Sequence, residues 1–265
     1  MNYRIIALDV DGTLINDDHE LPPRVREAVR AAAERGAEIV LCTGRGSTSA
    51  LPVLEELGLS GTMITHNGAS TVDSKTRRIL HETVIEAEAA FRYLAYCRER
   101  GIHFDMNTAF DLYVEKLTEE SERMYGRMFA RPIVWEAARG LPEHTVKLSI
   151  FAAKEALDAV QRDWGVWEDG LQVVRSGDYF IDVQPHRASK GAALERLAGL
   201  RGVPREQVLA IGNYYNDIGM LEFAGRGVAM ANSPEEVKRA ADAVTVSNNE
   251  DGVAVVLEEL LAIAK

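Results

Sequence analysis

The sequence has little cysteine: Cys42 and Cys97 are the only two in 265 residues. That is too few for a disulfide framework, and their spacing is not that of a zinc site. Positive charge is also in short supply. Against 41 acidic residues stand 30 basic ones, for a formal net charge of −11. With no concentrated basic patch, such a chain repels nucleic-acid backbones. No apolar run reaches the length of a membrane span. The N-terminal stretch passes straight into the short apolar run that ends at Asp9, without a signal-peptide cleavage region, so a cytoplasmic location is expected. Internal repeats, low-complexity segments and a Walker A pattern are absent as well. What is there, 46% hydrophobic and 27% charged residues, is the composition of a globular enzyme. The length allows one large domain or two modest ones.

The two ends of the chain alternate strand and helix. Arg4–Leu8, Ala37–Cys42 and Thr62–Thr65 fit buried strands, with helices predicted from Pro23 to Gly36 and over Ser47–Leu57. Past residue 185, strands are expected at Val208–Ile211, Gly227–Met230 and Ala243–Val246. Helices are expected at Ser189–Leu200, Asp217–Phe223 and Val253–Ile263, and another after Ser233, whose hydroxyl would cap it in a box with Glu236. Crossovers of this length favour a parallel sheet with helices on both faces. The middle reads differently. The helical stretch Glu86–Arg100 and the alternating runs Asp111–Lys116, Thr145–Phe151, Gln172–Ser176 and Phe180–Val183 suggest an antiparallel sheet open on one side. The expected fold is therefore α/β: a discontinuous Rossmann-like core over 1–81 and 186–265, interrupted by an α+β insert over 82–185.

Chemistry gathers first at Asp9-Val10-Asp11-Gly12-Thr13-Leu14, directly after the first strand. Ligands bind open α/β sheets at the carboxyl ends of their strands. Two carboxylates leave that edge together, and Gly12 lets the chain turn. One carboxylate can attack an electrophile while the other moves protons, and a hard cation would relieve their repulsion. A solvated acidic turn is the plain alternative for Asp-x-Asp alone. Other patterns carry less. Gly44-Arg45-Gly46 lacks the third glycine of a dinucleotide fingerprint, Ser49 standing there, and no acidic residue ends the next strand. Cys42 has Thr48, not arginine, six positions on, so it reads as a core residue rather than a nucleophile.

The Asp9–Leu14 run resembles the first signature motif of the haloacid dehalogenase phosphatases, and the resemblance extends over essentially the whole chain. Thr43-Gly44-Arg45 matches the second motif and Ser189-Lys190-Gly191 the third. Asn67-Gly68 matches a pair usual in the Cof-type subfamily. Gly212-Asn213-Tyr214-Tyr215-Asn216-Asp217 stands in the place of the fourth, usually Gly-Asp-x-x-Asn-Asp. The insert resembles the C2-type cap, a lid that covers the site and helps choose the substrate. It is expected to close through linkers near 81–83 and 184–187.

The resemblance implies a magnesium-dependent phosphatase of small phosphorylated metabolites, sugar phosphates or phosphorylated cofactors. Asp9 would attack phosphorus, and Asp11 would protonate the leaving oxygen and then activate water. Thr43 would donate to a phosphoryl oxygen, and Lys190 would offset negative charge. Gly44, Arg45, Asn67 and Asn216 would meet the substrate. Magnesium would be held by the Asp9 carboxylate, the Asp11 carbonyl, Asn213 and, directly or through water, Asp217. Asn213 departs from the family pattern, because an amide brings no charge where an aspartate is usual. That departure keeps a weakly catalytic binding or regulatory protein open as an alternative, and a sugar phosphomutase is another. His66, and His186 with Arg187, are further candidates for contact with phosphate or for structural roles. Nothing demands more than a monomer or weak homo-oligomer.

Overall fold

The computed structural model describes residues 2–127, 130–167 and 169–263. The chain divides into two compact units: residues 1–45, 50–81 and 189–265, and residues 46–49 with 82–188. This division differs at two points from the boundaries expected. Residues 46–49 cluster with the insert, where the Ser47 hydroxyl donates to the Ala109 carbonyl. Residues 186–188 do so too, His186 N–H bonding the Gly170 carbonyl.

The first unit is built on an eight-stranded sheet. Its strands run, in spatial order, Ala243–Val244, Arg226–Ala229, Val208–Gly212, Ile5–Leu8, Glu38–Cys42, Thr62–Thr65, Ser70–Asp73 and Arg78–Glu82. The first six pair in parallel and Ser70–Asp73 pairs antiparallel to Thr62–Thr65. Ile5, Ile6, Ala7 and Leu8 are all fully buried, as a central strand covered on both faces requires. Burial of each large side chain among them is worth about 1.5–3 kcal/mol. The helix Pro23–Glu34 turns Val25, Ala28, Val29 and Ala32 inward. The last two strands of the spatial order are an edge hairpin that the sequence reading passed over; the expected first linker thus falls partly inside a strand. The Ser233 cap is a correction too. The helix Glu235–Ala240 begins after Pro234 with no side-chain cap, and the Ser233 hydroxyl is buried without a partner.

The second unit is α+β. Its six-stranded sheet runs Leu171–Gly177, Phe180–Pro185, Lys147–Phe151, His103–Asn107, Leu112–Val114 and Ile133–Val134. It is antiparallel except for the last pair. Phe104, Met106, Leu148, Ile150, Ile181 and Val183 pack with Tyr93, Leu94, Leu157, Val160 and Trp164 of the helices Ala87–Arg100 and Lys154–Trp164. The alternating polar face is not open as expected. Asp105, Asn107, Lys147, Asp182 and Gln184 on it are buried. Tyr125, from the helix Glu119–Arg127, donates to Asp105 Oδ2 at 3.0 Å and meets His103 Nε2 at 2.8 Å.

Candidate active site

The chain leaves the first strand toward Glu38–Cys42 on one side, and the later strand Val208–Gly212 lies on the other. The strand order therefore reverses at Ile5–Leu8, and the crevice beyond its carboxyl end is where open α/β sheets take ligands. Asp9 stands at that point, its N–H bonded to the Ile211 carbonyl at 3.0 Å. Thr43 leaves the neighbouring strand beside it, with its N–H on the Ile64 carbonyl at 2.9 Å. Gly212-Asn213 leaves the strand on the other flank.

Lys190 is the first residue of the helix Lys190–Arg201, whose N-cap Ser189 accepts from the Ala192 N–H. That helix start is drawn close to the sheet through Gly68, at φ +93°, where a Cβ would stand 2.1 Å from the Ser189 carbonyl oxygen. Lys190 Nζ donates to Asp9 Oδ1 at 2.7 Å and to Asp217 Oδ1 at 2.6 Å, with all three side chains buried. Burial, and then the charge of Asp217, push Asp9 up to about 7 against the downward pull of Lys190. Burial draws Lys190 down, but the charges of Asp217 and Asp9 outweigh it and hold the ammonium above its ordinary range. Asp217 Oδ2 accepts from the N–H groups of Asn213 and Tyr214 at 2.8 and 2.9 Å. Its carboxylate therefore braces both Lys190 and the turn that carries Asn213.

On the other side of Asp9 lies a corner made of oxygen and amide atoms. The inner end of the Asn213 amide stands 2.9 Å from Asp9 Oδ2 and 3.0 Å from the Asp11 carbonyl oxygen. Neighbouring ligands of a magnesium octahedron, with bonds of about 2.1 Å, lie about 3.0 Å apart. The spacing and the hard oxygen donors both fit magnesium, so Asp9, the Asp11 carbonyl and Asn213 could hold that ion. The set has one carboxylate. Among the described residues no group of three His, Cys, Asp or Glu side chains is placed to hold a metal ion together, so the corner is weakly charged for a divalent site.

The Asp11 side chain is held by Arg45 in a two-pronged pair, Nε to Oδ2 at 2.9 Å and Nη2 to Oδ1 at 2.6 Å. Thr43 is fully buried, and its Oγ1 accepts from the Arg45 N–H at 3.1 Å. Asn216 Nδ2 donates to Asn67 Oδ1 at 2.9 Å. Gly44 lies against that same amide, since a Cβ there would come within 2.9 Å of Asn67 Oδ1. The first unit thus gathers Asp9, Asp11, Thr43, Arg45, Asn67, Lys190, Asn213, Asn216 and Asp217 from five segments. His66 is buried next to Asn67, both with positive φ. His186 and Arg187 are exposed members of the second unit. Cys42 is fully buried, and burial pushes its thiol far up, which makes it inert.

Two residues escaped the sequence reading. Thr13 Oγ1 lies 3.1 Å from both Asp9 Oδ2 and the Asn213 amide. Its place four residues after Asp9 was a usable signal. Asn232 Nδ2 donates to the Gly12 carbonyl at 2.9 Å and so steadies the Asp11–Thr13 turn. No local signal marks it, because it reaches back across 220 residues.

A carboxylate at the switch point of a parallel sheet, paired with a buried lysine beside a hard-oxygen corner, defines an enzyme of the phosphoryl-transfer kind. The model of the haloacid dehalogenase-like hydrolases matches residues 6–257, and the chain belongs to that family. The chain is similar to "Phosphatase YwpJ" of Bacillus subtilis, 32% identical over 97% of this chain and 100% of the relative. It is also similar to "5-amino-6-(5-phospho-D-ribitylamino)uracil phosphatase YwtE" of the same organism, 28% identical over 98% of both chains. Among solved structures, a haloacid dehalogenase-like hydrolase from Bacteroides thetaiotaomicron superposes with a TM-score of 0.89 at 29% identity, over 97% of this chain and 99% of that one. The protein is a phosphatase of this family.

Proposed function

We propose that the protein hydrolyses monophosphate esters of small metabolites, sugar phosphates or phosphorylated cofactors, through a phosphorylated Asp9 and with magnesium. The observation that carries this reading is the buried Asp9, held by Lys190 at the switch point and flanked by the oxygen corner. An Asp9 carboxylate oxygen forms a bond to phosphorus as the bond to the ester oxygen breaks. Asp11 in its acid form gives its proton to that leaving oxygen. Water then attacks the phosphorus, Asp11 takes the water's proton, and the bond from phosphorus to Asp9 breaks to release inorganic phosphate. Lys190 neutralises the charge that accumulates, and the Thr43 hydroxyl donates to a phosphoryl oxygen. Such positioned charges supply most of the catalysis in phosphoryl transfer. The Asp9 carboxylate, the Asp11 carbonyl and the Asn213 amide oxygen would hold magnesium, which would supply positive charge beside the nucleophile and the phosphate.

Arg45 has a double part in this reading. It holds the Asp11 carboxylate in the resting protein, and an arriving phosphate dianion competes for the same guanidinium. The pairing of Asp11 with Arg45 would then loosen as substrate binds, freeing the Asp11 carboxyl to turn toward the leaving oxygen. The second unit is proposed as the lid that sorts leaving groups.

The test is phosphate release from a panel of phosphorylated metabolites with and without magnesium, for wild type and Asp9→Asn. The variant is expected to fold and to lose turnover, and fluoroberyllate, a mimic of the phosphorylated carboxylate, is expected on Asp9. Near-normal single-turnover rates in Asp9→Asn would overturn the covalent route. Absence of release by the wild type from every ester would favour the weakly catalytic binding protein, the reading that the uncharged Asn213 supports.

A further inference from the structure

Asn213 does more than lend a neutral oxygen. The inner end of its amide faces three atoms at once: Asp9 Oδ2 at 2.9 Å, the Asp11 carbonyl at 3.0 Å and Thr13 Oγ1 at 3.1 Å. The carboxylate and the carbonyl only accept hydrogen bonds, and the hydroxyl has one hydrogen to give. With the amide oxygen turned inward and no cation present, three acceptors and a hydroxyl converge on that one hydrogen. With the nitrogen inward, every atom is satisfied. Thr13 then gives its hydrogen to Asp9, while the amide donates to the atoms around it. The outer end is satisfied by the same exchange, because its neighbours are donors. The amide packs directly against Gly12, in space that glycine leaves open: a Cβ there would stand 2.4 Å from the amide nitrogen. A half-turn about the amide's own axis exchanges oxygen and nitrogen within almost the same envelope.

We propose that Asn213 is an internal stand-in for the cation. Its amide turns nitrogen inward in the metal-free protein, bridging Asp9 and Asp11, and oxygen inward when magnesium takes those ligands. This rests on the magnesium-phosphatase reading above and adds to it a resting state in which the site's ligands partner one another. Aspartate at 213 cannot donate, so it would leave two carboxylates and a carbonyl facing one another without a cation. Asparagine therefore favours a stable metal-free protein, and the ion has to displace the amide's hydrogen bonds to enter.

The test compares wild type and Asn213→Asp by thermal unfolding in EDTA and by calorimetric titration with magnesium chloride, neither of which depends on turnover. In EDTA the variant should melt below wild type. In saturating magnesium its melting temperature should rise by more than that of wild type. Its magnesium Kd should be tighter by about tenfold or more, since a charged partner replaces a neutral one. A variant as stable as wild type in EDTA, with both proteins binding magnesium, overturns the stand-in while leaving the phosphatase reading intact. Failure of both proteins to bind magnesium removes the metal from the site and overturns both. Should the variant not fold, the wild type alone decides. The Asn213 side-chain amide hydrogens, followed by NMR, should be protected from solvent exchange in EDTA and lose that protection on adding magnesium; unchanged protection overturns the proposal.

Discussion

Replacing Lys190 with methionine keeps most of the length and flexibility of the side chain and removes its charge. The ammonium makes two contacts, at 2.7 Å to Asp9 and 2.6 Å to Asp217, and none of the three side chains is more than 7% exposed. At an effective dielectric of ~20, each contact is worth about 6 kcal/mol of Coulomb attraction. Much of that is offset by the several kcal/mol spent in stripping water from each buried ion. The desolvation of the lysine is recovered in the variant, but that of the two carboxylates is not. Breaking a buried pair by removing one partner costs about 3–5 kcal/mol net, and here two carboxylates are left facing each other. We expect Lys190→Met to lose stability in that range, read from urea unfolding of the metal-free protein at neutral pH. Phosphate release should fall by about 10²–10³-fold, the loss usual on removing one charge-stabilising donor. A variant within about 1 kcal/mol of wild type, with turnover within tenfold, would refute the assignment of Lys190 as the counter-charge of this site.

Other expectations follow from single contacts. Gly68→Ala places a Cβ 2.1 Å from the Ser189 carbonyl at a positive φ, so it should cost at least about 2 kcal/mol; an unchanged melting temperature would contradict the close approach. Arg45→Met removes a partly exposed pair with Asp11 and should change stability by less than about 1 kcal/mol, while raising KM for phosphate esters several-fold; an unaltered KM would deny Arg45 a part in binding. Burial pushes Asp105 up to about 6, against the pull of Lys147 and the hydrogen bonds of Tyr125 and Asn107. A folded value above the unfolded one of about 3.9 favours the folded state most at low pH, and that advantage is lost as pH rises through about 6. Wild type should therefore lose stability relative to Asp105→Asn between about pH 4 and 6; parallel pH curves for the two proteins would exclude this titration.

The parallel sheet, and the placing of the candidate site residues at the ends of its strands, were legible because each motif begins where a short apolar run ends. Asp9 follows Ile5–Leu8, Thr43 follows Glu38–Cys42, and Asn213 follows Val208–Gly212. Buried parallel strands read as continuous apolar runs, so their ends are marked in the sequence. The edge hairpin was not legible. Ser70–Asp73 and Arg78–Glu82 mix polar and apolar residues, and their pairing rests on the neighbouring strand rather than on a pattern of their own. The Ser233 cap failed for a local reason: the helix begins one residue later than the capping pattern requires, after Pro234. Departures at Asn213 were visible as a missing charge, but the meaning of the amide depends on Thr13 and Asp11, whose distances no spacing rule supplies.

The order of strands has a consequence for the birth of the protein. Ile5–Leu8 lies at the centre of its sheet, yet its partner on one side is Val208–Gly212. Asp9 waits even for its counter-charge, since Lys190 comes 181 residues later. At a synthesis rate of about 5–20 residues per second, that is a delay of roughly 10–40 s. Over that interval the emerging chain carries an apolar strand with one edge unpaired, a surface prone to wrong partners. The residues made in the meantime are largely those of the second unit, whose sheet draws all its strands from one continuous stretch and can close without waiting for either end. The ribosome thus delivers every strand of the second unit's sheet before the sheet of the first unit can be completed, and the lysine that pairs with Asp9 arrives with the segment that completes it.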